Sequence, residues 1–388
     1  MQNVFTSLIT KFFIVVASLS IATMPKTKLL TMRELPAVDE DVFERLTHLE
    51  IPKKAVDATT TPSSPPKAIA PPTPSINSPI TIKPVAPPAA LTPEIEQPAP
   101  TKSAVANFES INADTRAALV NILCISTNNS VVRSITGSGI IINNRGVILT
   151  NAHIGQSLLI KDYPTPEYTT CTVRTGNPAR SLYTAKLLYL PPSWVHANPT
   201  NLIETNPRGT GEDDYALLLV DGKTDTNEKL PSSFAAMPLA LGDEIAKGDE
   251  VLIVAYPAGF LGGIAIAKDL YSASSFAKVN DVYSFDGEHN EFLELSGSIL
   301  AQKGSSGGAV MNAAGEIAGL VVTVTDAATT NERLLGAITP LHIARSFKAN
   351  SGFELKTFLE GNLHEAANRF VKDVAPALTA KLVSSLSQ

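Results

Sequence analysis

Cysteine is nearly absent: Cys124 and Cys171 are the only two in 388 residues. That excludes a disulfide-rich scaffold, and the lack of any CxxC pair excludes the common zinc frameworks. An oxidising compartment would permit the two to pair, but two separate buried small hydrophobes is the simpler reading. Strong charge is missing as well. The formal net charge is −6, and no run of like charges is long enough for a binding tail, so nucleic acid is not an expected partner. Tryptophan occurs once, and no repeat of fixed period is evident. Apolar material is plentiful. Hydrophobic residues make up 44% and charged residues 18%, enough for one large domain with extensions or for two domains.

The N-terminus reads as a targeting segment. Lys11 precedes an apolar run, Phe12 to Ala22, too short to span a bilayer comfortably. It fits a signal-peptide core with Ser20 and Ala22 at a cleavage site. An uncleaved anchor from Val4 to Met24 fits as well, with Lys11 inside it. Val42, Phe43, Leu46 and Leu49 then sit at helical spacing. From Pro62 to Pro100 the chain holds thirteen of its 28 prolines. Proline fixes φ and removes backbone donors, so this stretch is expected to be an extended tether reaching roughly 120 Å at ~3.1 Å per residue.

From about Ala106 to Asn350 short runs rich in Val, Ile, Leu and Thr recur, punctuated by Gly, Pro and Asn. They include Ala118–Ser126, Gly139–Ile142, Val147–Thr150, Leu182–Leu190, Tyr215–Val220 and Glu250–Ala255, and then Phe292–Ser296, Gly308–Met311, Ile317–Thr325 and Leu334–Thr339. That spacing predicts an all-β sandwich or barrel rather than βαβ units. After Asn350, Leu355, Phe358, Leu359, Leu363, Ala366, Phe370 and Val371 share one helical stripe, interrupted by Gly361 and Pro376. One or two closing helices are expected there.

Three segments carry chemistry: Leu149-Thr150-Asn151-Ala152-His153, Asp213-Asp214-Tyr215-Ala216-Leu217-Leu218, and Gly304-Ser305-Ser306-Gly307-Gly308. A serine hydroxyl needs a base beside it, and a tetrahedral intermediate needs donors where its charge develops. Glycines around Ser306 permit a tight turn and close approach of a substrate backbone. Ser306 is therefore the candidate nucleophile. The turn Gly304, Ser305 and Ser306 is the candidate oxyanion hole, with the N–H groups of Gly304 and Ser306 as donors. A Gly-Ser hairpin has the same composition. Six histidines are present: His48, His153, His196, His289, His342 and His364. His153 is singled out by its place at a strand end, and Asp214 adjoins a buried strand and would fix the tautomer of an imidazole. Asp213 is its competitor.

The order His153, Asp214, Ser306 resembles that of the chymotrypsin-type serine peptidases, with motifs of the TNAH, D-x-A-L-L and G-[NDS]-S-G-G kind. The stretches Gly137 to Ile142, Gly146 to His153 and Gly315 to Gly319 are similar to the HtrA/DegP-like branch. The resemblance covers roughly residues 115 to 345. It implies two packed six-stranded β-barrels with short C-terminal helices, the site between them, polypeptide substrates, and neither metal nor cofactor. It divides the chain into a signal peptide or anchor (1–25), a Pro-rich linker (26–105), a trypsin-like serine protease domain (106–350) and a C-terminal helical segment (351–388). About 40 residues follow the domain, fewer than a PDZ domain needs. By position Leu300 would form the base of a substrate pocket and Val321, Val322 and Thr323 its wall, favouring small or medium apolar P1 side chains. Ser305 stands where digestive relatives carry an acid, so activation by a salt bridge to a new N-terminus is not expected. The insertion Pro191 to Glu212, with Trp194, would shape the cleft rim or form a passive loop. Export to a periplasmic or extracellular location is expected, with membrane association through the first segment if it is retained; the oligomeric state stays open. Two alternatives remain: an α/β-hydrolase-type esterase, which also uses G-x-S-x-G, and a catalytically inactive binding protein of protease fold.

Overall fold

The computed structural model describes residues 107–386 except 129–130, 203, 205–209, 243, 260, 262 and 325–332. The expected targeting segment, the stretch Val38 to Ile51 with its helical spacing, and the proline tether lie outside the described residues.

Twelve strands close into two antiparallel barrels. The first contains β1 (Leu119–Asn128), β2 (Val131–Asn143), β3 (Val147–Thr150), β4 (Thr169–Thr175), β5 (Arg180–Tyr189) and β6 (Ala216–Lys223) in the circular order β1-β2-β3-β6-β5-β4. The second contains β7 (Glu250–Ala255), β8 (Ala273–Tyr283), β9 (Phe292–Leu295), β10 (Ala309–Met311), β11 (Ile317–Val324) and β12 (Leu335–Ile338). Its order, β7-β8-β9-β12-β11-β10, repeats the topology of the first. Full closure leaves no sheet edge unpaired. No helix follows Ser306 directly, and β10 begins three residues later, so the α/β-hydrolase alternative is excluded by the fold.

Ten of the twelve strands coincide with predicted runs. The missed pair, β4 and β8, carry polar residues on both faces, and β8 leaves Phe276 and Tyr283 exposed. The turn before β3 shows how local chemistry sets a hairpin. Asn143 Oδ1 accepts the N–H groups of Arg145 and Val147 at 3.1 and 3.2 Å, and Gly146 takes φ +83°.

Helix α1 (Phe108–Ala118) precedes β1. One-turn α2 (Ala152–Gly155) follows β3, α3 (Pro192–Ala197) lies in the insertion, and α4 (Gly263–Lys268) lies between β7 and β8. The C-terminal part is more helical than expected and starts earlier. It comprises α5 (Pro340–Ser351), α6 (Leu355–Glu360), α7 (Leu363–Arg369), a π-turn (Phe370–Val374) and α8 (Ala375–Leu386). Helix α5 is capped by Thr339 Oγ1, which accepts His342 N–H at 3.2 Å, and stops at Gly352 with φ +80°. Pro376 does not end the helix: the run is continuous from Leu363 to Leu386, and the proline follows directly on the π-turn, where the hydrogen-bond ladder already departs from the α pattern.

These helices explain why β6 is apolar on both faces. One face points into the barrel, and the other is covered. Phe347, Leu355, Leu363, Phe370 and Leu382 share one buried cluster with Leu217, Leu218 and Leu219. Tyr189 packs between Phe347 and Phe370, with ring centroids 4.6 and 6.0 Å away. Each such side chain contributes roughly 1.5–3 kcal/mol by leaving water. A separate cluster fills the second barrel, built on Val251, Ile253, Leu293, Leu295, Val310 and Leu335.

The cysteines are not separate hydrophobes. Cys124 on β1 and Cys171 on β4 are register partners, and their sulfurs are bonded at 2.06 Å across the seam that closes the first barrel.

Candidate active site

Strand β3 ends at Thr150, and α2 turns the chain so that His153 leaves the barrel rim. The register pairs Thr150 with Ala216, which brings the residue two before Ala216 alongside the turn. That residue is Asp214, buried at the mouth of β6. Its Oδ1 accepts the His153 backbone N–H at 3.0 Å, and its Oδ2 lies 2.7 Å from His153 Nδ1. Asn151 Nδ2 donates to the Asp214 carbonyl at 2.9 Å. The carboxylate thus holds the histidine by both main chain and ring.

The competing acid faces elsewhere. Asp213 takes φ +57° and accepts from Ser193 Oγ (2.7 Å) and Ser346 Oγ (2.5 Å). The insertion carrying Ser193 is therefore not passive: Trp194 is buried in the core and Ser193 fixes Asp213. His342 is buried between two acids, with Nδ1 3.2 Å from Glu291 Oε1 and Nε2 3.7 Å from Asp213 Oδ1.

Ser306 lies on a turn that only glycine permits. Gly304 and Gly307 have φ of +91° and +83°. A Cβ at Gly307 would sit 2.0 Å from the Ser138 carbonyl, and one at Gly304 would sit 2.7 Å from the Tyr256 carbonyl. The turn is clamped to the first barrel through Ser138. Ser138 N–H donates to Ser306 O at 2.7 Å, and Ser138 Oγ donates to Gly304 O at 2.8 Å. The same Oγ accepts Tyr256 N–H at 2.8 Å, and Thr150 Oγ1 donates to Ser138 O at 2.7 Å. Thr150 is three residues before His153, so the clamp ties the serine turn to the histidine strand. Ser138 and Thr150 received no role from the sequence. The available signal for Ser138 was a hydroxyl between two glycines just before the apolar run Ile140 to Ile142.

Among the described residues the N–H groups of Gly304 and Ser306 donate to no acceptor. Ser305 differs from expectation: its N–H donates to Gln302 O at 3.2 Å, and its buried Oγ has no partner. It belongs to the turn and not to the donor pair. Ser306 is partly exposed. Its Oγ makes no hydrogen bond to His153 or to any other described residue, and catalytic contacts of this kind commonly tighten only when substrate binds.

Burial is the largest influence on the His153 imidazole and pulls its pKa down, but the charge of Asp214 and the hydrogen bond to it outweigh that pull and hold it above the usual value. The side chain is 25% exposed, which lightens the burial effect.

The pocket residues are deeper than expected. Leu300 and Val321 are fully buried in the core of the second barrel and line no open space. Val322 is buried too, and Val322 and Thr323 pack close to Gly211 from the insertion. Among the described residues one group has metal-ligand spacing: Asp286, Glu288 and His289 on the β8–β9 hairpin, with Asp286 already paired to Arg345 at 2.5 Å.

Residues 137–320 match the trypsin-like peptidase domain family, a stretch that contains His153, Asp214 and Ser306. Among solved structures the chain is similar to the HtrA-type protease AlgW with a decapeptide, at 17% identity and a TM-score of 0.39, over 62% of this chain and 67% of that one. It is also similar to the active form of the Rv3671c protease from M. tuberculosis, at 19% identity and a TM-score of 0.39, over 69% and 94%. No curated protein matches the sequence.

Proposed function

We propose, starting from the trypsin-like peptidase domain that residues 137–320 carry, that this protein is a serine endopeptidase acting through Ser306, His153 and Asp214. The carrying observation is the 2.7 Å contact of His153 Nδ1 with Asp214. It assigns the proton to Nδ1 and leaves Nε2 as the ring's base.

In this reading Ser306 Oγ attacks the scissile carbonyl carbon while its proton passes to His153 Nε2. The carbonyl oxygen takes the negative charge and is met by the N–H groups of Gly304 and Ser306. The C–N bond breaks, and the amine leaves with the proton from Nε2. Water then attacks the acyl-enzyme, gives its proton to the same nitrogen, and Ser306 Oγ departs with that proton. None of Leu300, Val321, Val322 and Thr323 carries a charge, which supports small or medium apolar P1 side chains. A peptide library cleaved mainly after Arg or Lys would refute that preference. The disulfide, together with the apolar N-terminal run, supports action outside the reducing cytoplasm. Membrane association would then depend on retention of residues 1–25, with the proline tether as spacer.

The test is Ser306→Ala in the full chain. Peptide hydrolysis is expected to fall by about four to six orders of magnitude with folding unchanged. Near-normal cleavage by this variant would refute the assignment.

A further inference from the structure

The peptide unit joining Lys303 to Gly304 decides where one oxyanion donor points. Its carbonyl accepts the N–H of Ala258 at 2.7 Å. In a trans peptide the N–H points the opposite way, so this bond turns the Gly304 N–H to the side where it is unpaired. Gly259 N–H reinforces the contact by donating to Gln302 Oε1 at 3.0 Å. Both donors lie in segment 256–272, the excursion between β7 and β8 that carries α4.

That segment is fastened to the other barrel. Arg174 on β4 is 1% exposed, and among the described residues it has no carboxylate partner. Its Nε and Nη2 donate to Asn121 Oδ1 at 2.8 and 2.6 Å. Its Nη1 donates to the carbonyls of Ile266 and Ala267 at 2.8 and 3.1 Å, the last turn of α4. A cation there meets carbonyls left without intrahelical partners. Asn121 also donates to Gly137 O at 2.7 Å, next to Ser138, which holds the Gly304 carbonyl. The neighbouring hairpin adds further ties: Ala179 N–H donates to Leu270 O at 2.7 Å, Arg180 Nη1 donates to Lys268 O, and Tyr256 Oη donates to Gly176 O at 3.0 Å.

We infer that Arg174 is a positioning residue: it braces segment 256–272 against the first barrel, and that brace holds the oxyanion donor of Gly304 in its working direction. The inference rests on the peptidase reading for its catalytic consequence, and on the hydrogen bonds alone for the brace. Arg174 touches no reacting atom. It links the barrel that carries the base to the turn that carries the nucleophile.

The test uses Arg174→Met, which keeps most of the side-chain length, with Arg180→Ala as a milder variant at an exposed position. Three readouts are taken on the full chain. In hydrogen exchange, Arg174→Met is expected to speed exchange across 256–272 and at 302–304 while β1 to β3 stay protected. In peptide hydrolysis, kcat is expected to drop about 100-fold with KM changed less than about threefold, because transition-state contacts alone are lost. A peptide boronic acid, which adds to Ser306 Oγ and places an oxygen at the oxyanion position, should lose affinity by the same factor as kcat/KM. Arg180→Ala should shift all three in the same direction by less. Unchanged exchange in 256–272 overturns the brace. A loss seen in KM, or matched only by the unfolded fraction, overturns the positioning role. An inactive wild type with altered exchange in the variant overturns the peptidase reading and leaves the brace standing.

Discussion

Asp213 and Asp214 are chemically identical neighbours, and the backbone separates their roles. Positive φ at Asp213 turns its carboxylate to Ser193 and Ser346, so that Asp214 alone meets His153. The raised imidazole pKa has a sign that can be checked. Protonated His153 is stabilised by Asp214, a contribution fully present below the unfolded-state value of about 6.5 and lost as pH rises through the folded value. The base works only when neutral, so kcat/KM should climb with pH through an apparent pKa above 6.5. Asp214→Asn removes the charge and leaves the burial. Its pH profile should shift toward lower pH, with kcat reduced by about four orders of magnitude. An unshifted limb would contradict the assignment. Gly307→Ala should abolish the turn, since its Cβ would fall 2.0 Å from the Ser138 carbonyl. The expected result is loss of activity with both barrels still folded, checked by circular dichroism beside a peptide assay. At this scale the His153–Asp214 pair and the glycine-bounded turn at Ser306 were legible because each sits in a distinctive local context. Ser138 and Arg174 were not, because their partners lie far along the chain, and Thr150 was not, because its role depends on Ser138.

Helix α5 is more than a covering element. Glu291, buried just before β9, accepts Phe285 N–H at 2.7 Å and Asp286 N–H at 3.1 Å, meets Arg345 of α5 at 2.6 Å, and lies 3.2 Å from His342 of the same helix. Glu291→Ala strands two backbone donors and leaves the partly exposed Arg345 with Asp286 as its remaining carboxylate. It should cost about 2–3 kcal/mol of stability, below the full cost of breaking a buried pair because Arg345 reaches solvent. Denaturant unfolding measures it, and a change within ~0.5 kcal/mol, typical of a neutral surface substitution, would refute the network's importance. Strands read best where burial is one-sided or complete, as in β3 and β7. They failed at β8, where a register irregularity between Val279 and Asp281 breaks the alternation and exposed aromatics blur the faces. The start of α5 escaped because His342 and Pro340 interrupt the apolar stripe, although Thr339 and Gly352 are its cap signals.

The two barrels share one topology, and the serine turn of the second docks on the first through Ser138. That docking was implied by motif order but not derivable from any single segment. The disulfide acts on the whole of the first barrel. It joins residues 47 apart, so Cys124→Ser with Cys171→Ser should lower stability by roughly 2–4 kcal/mol. Equal stability of the two proteins would show that the seam does not need it. Deleting residues 58–104 should leave hydrolysis of free peptides intact, since the proposed site draws on none of them.

The most direct measurement is labelling of the full chain with a fluorophosphonate, which reacts only with an activated serine, followed by mass spectrometry of the modified peptide. The account predicts a single adduct on Ser306, absent in His153→Ala. No adduct on the folded wild type, or equal labelling when His153 is removed, would contradict it.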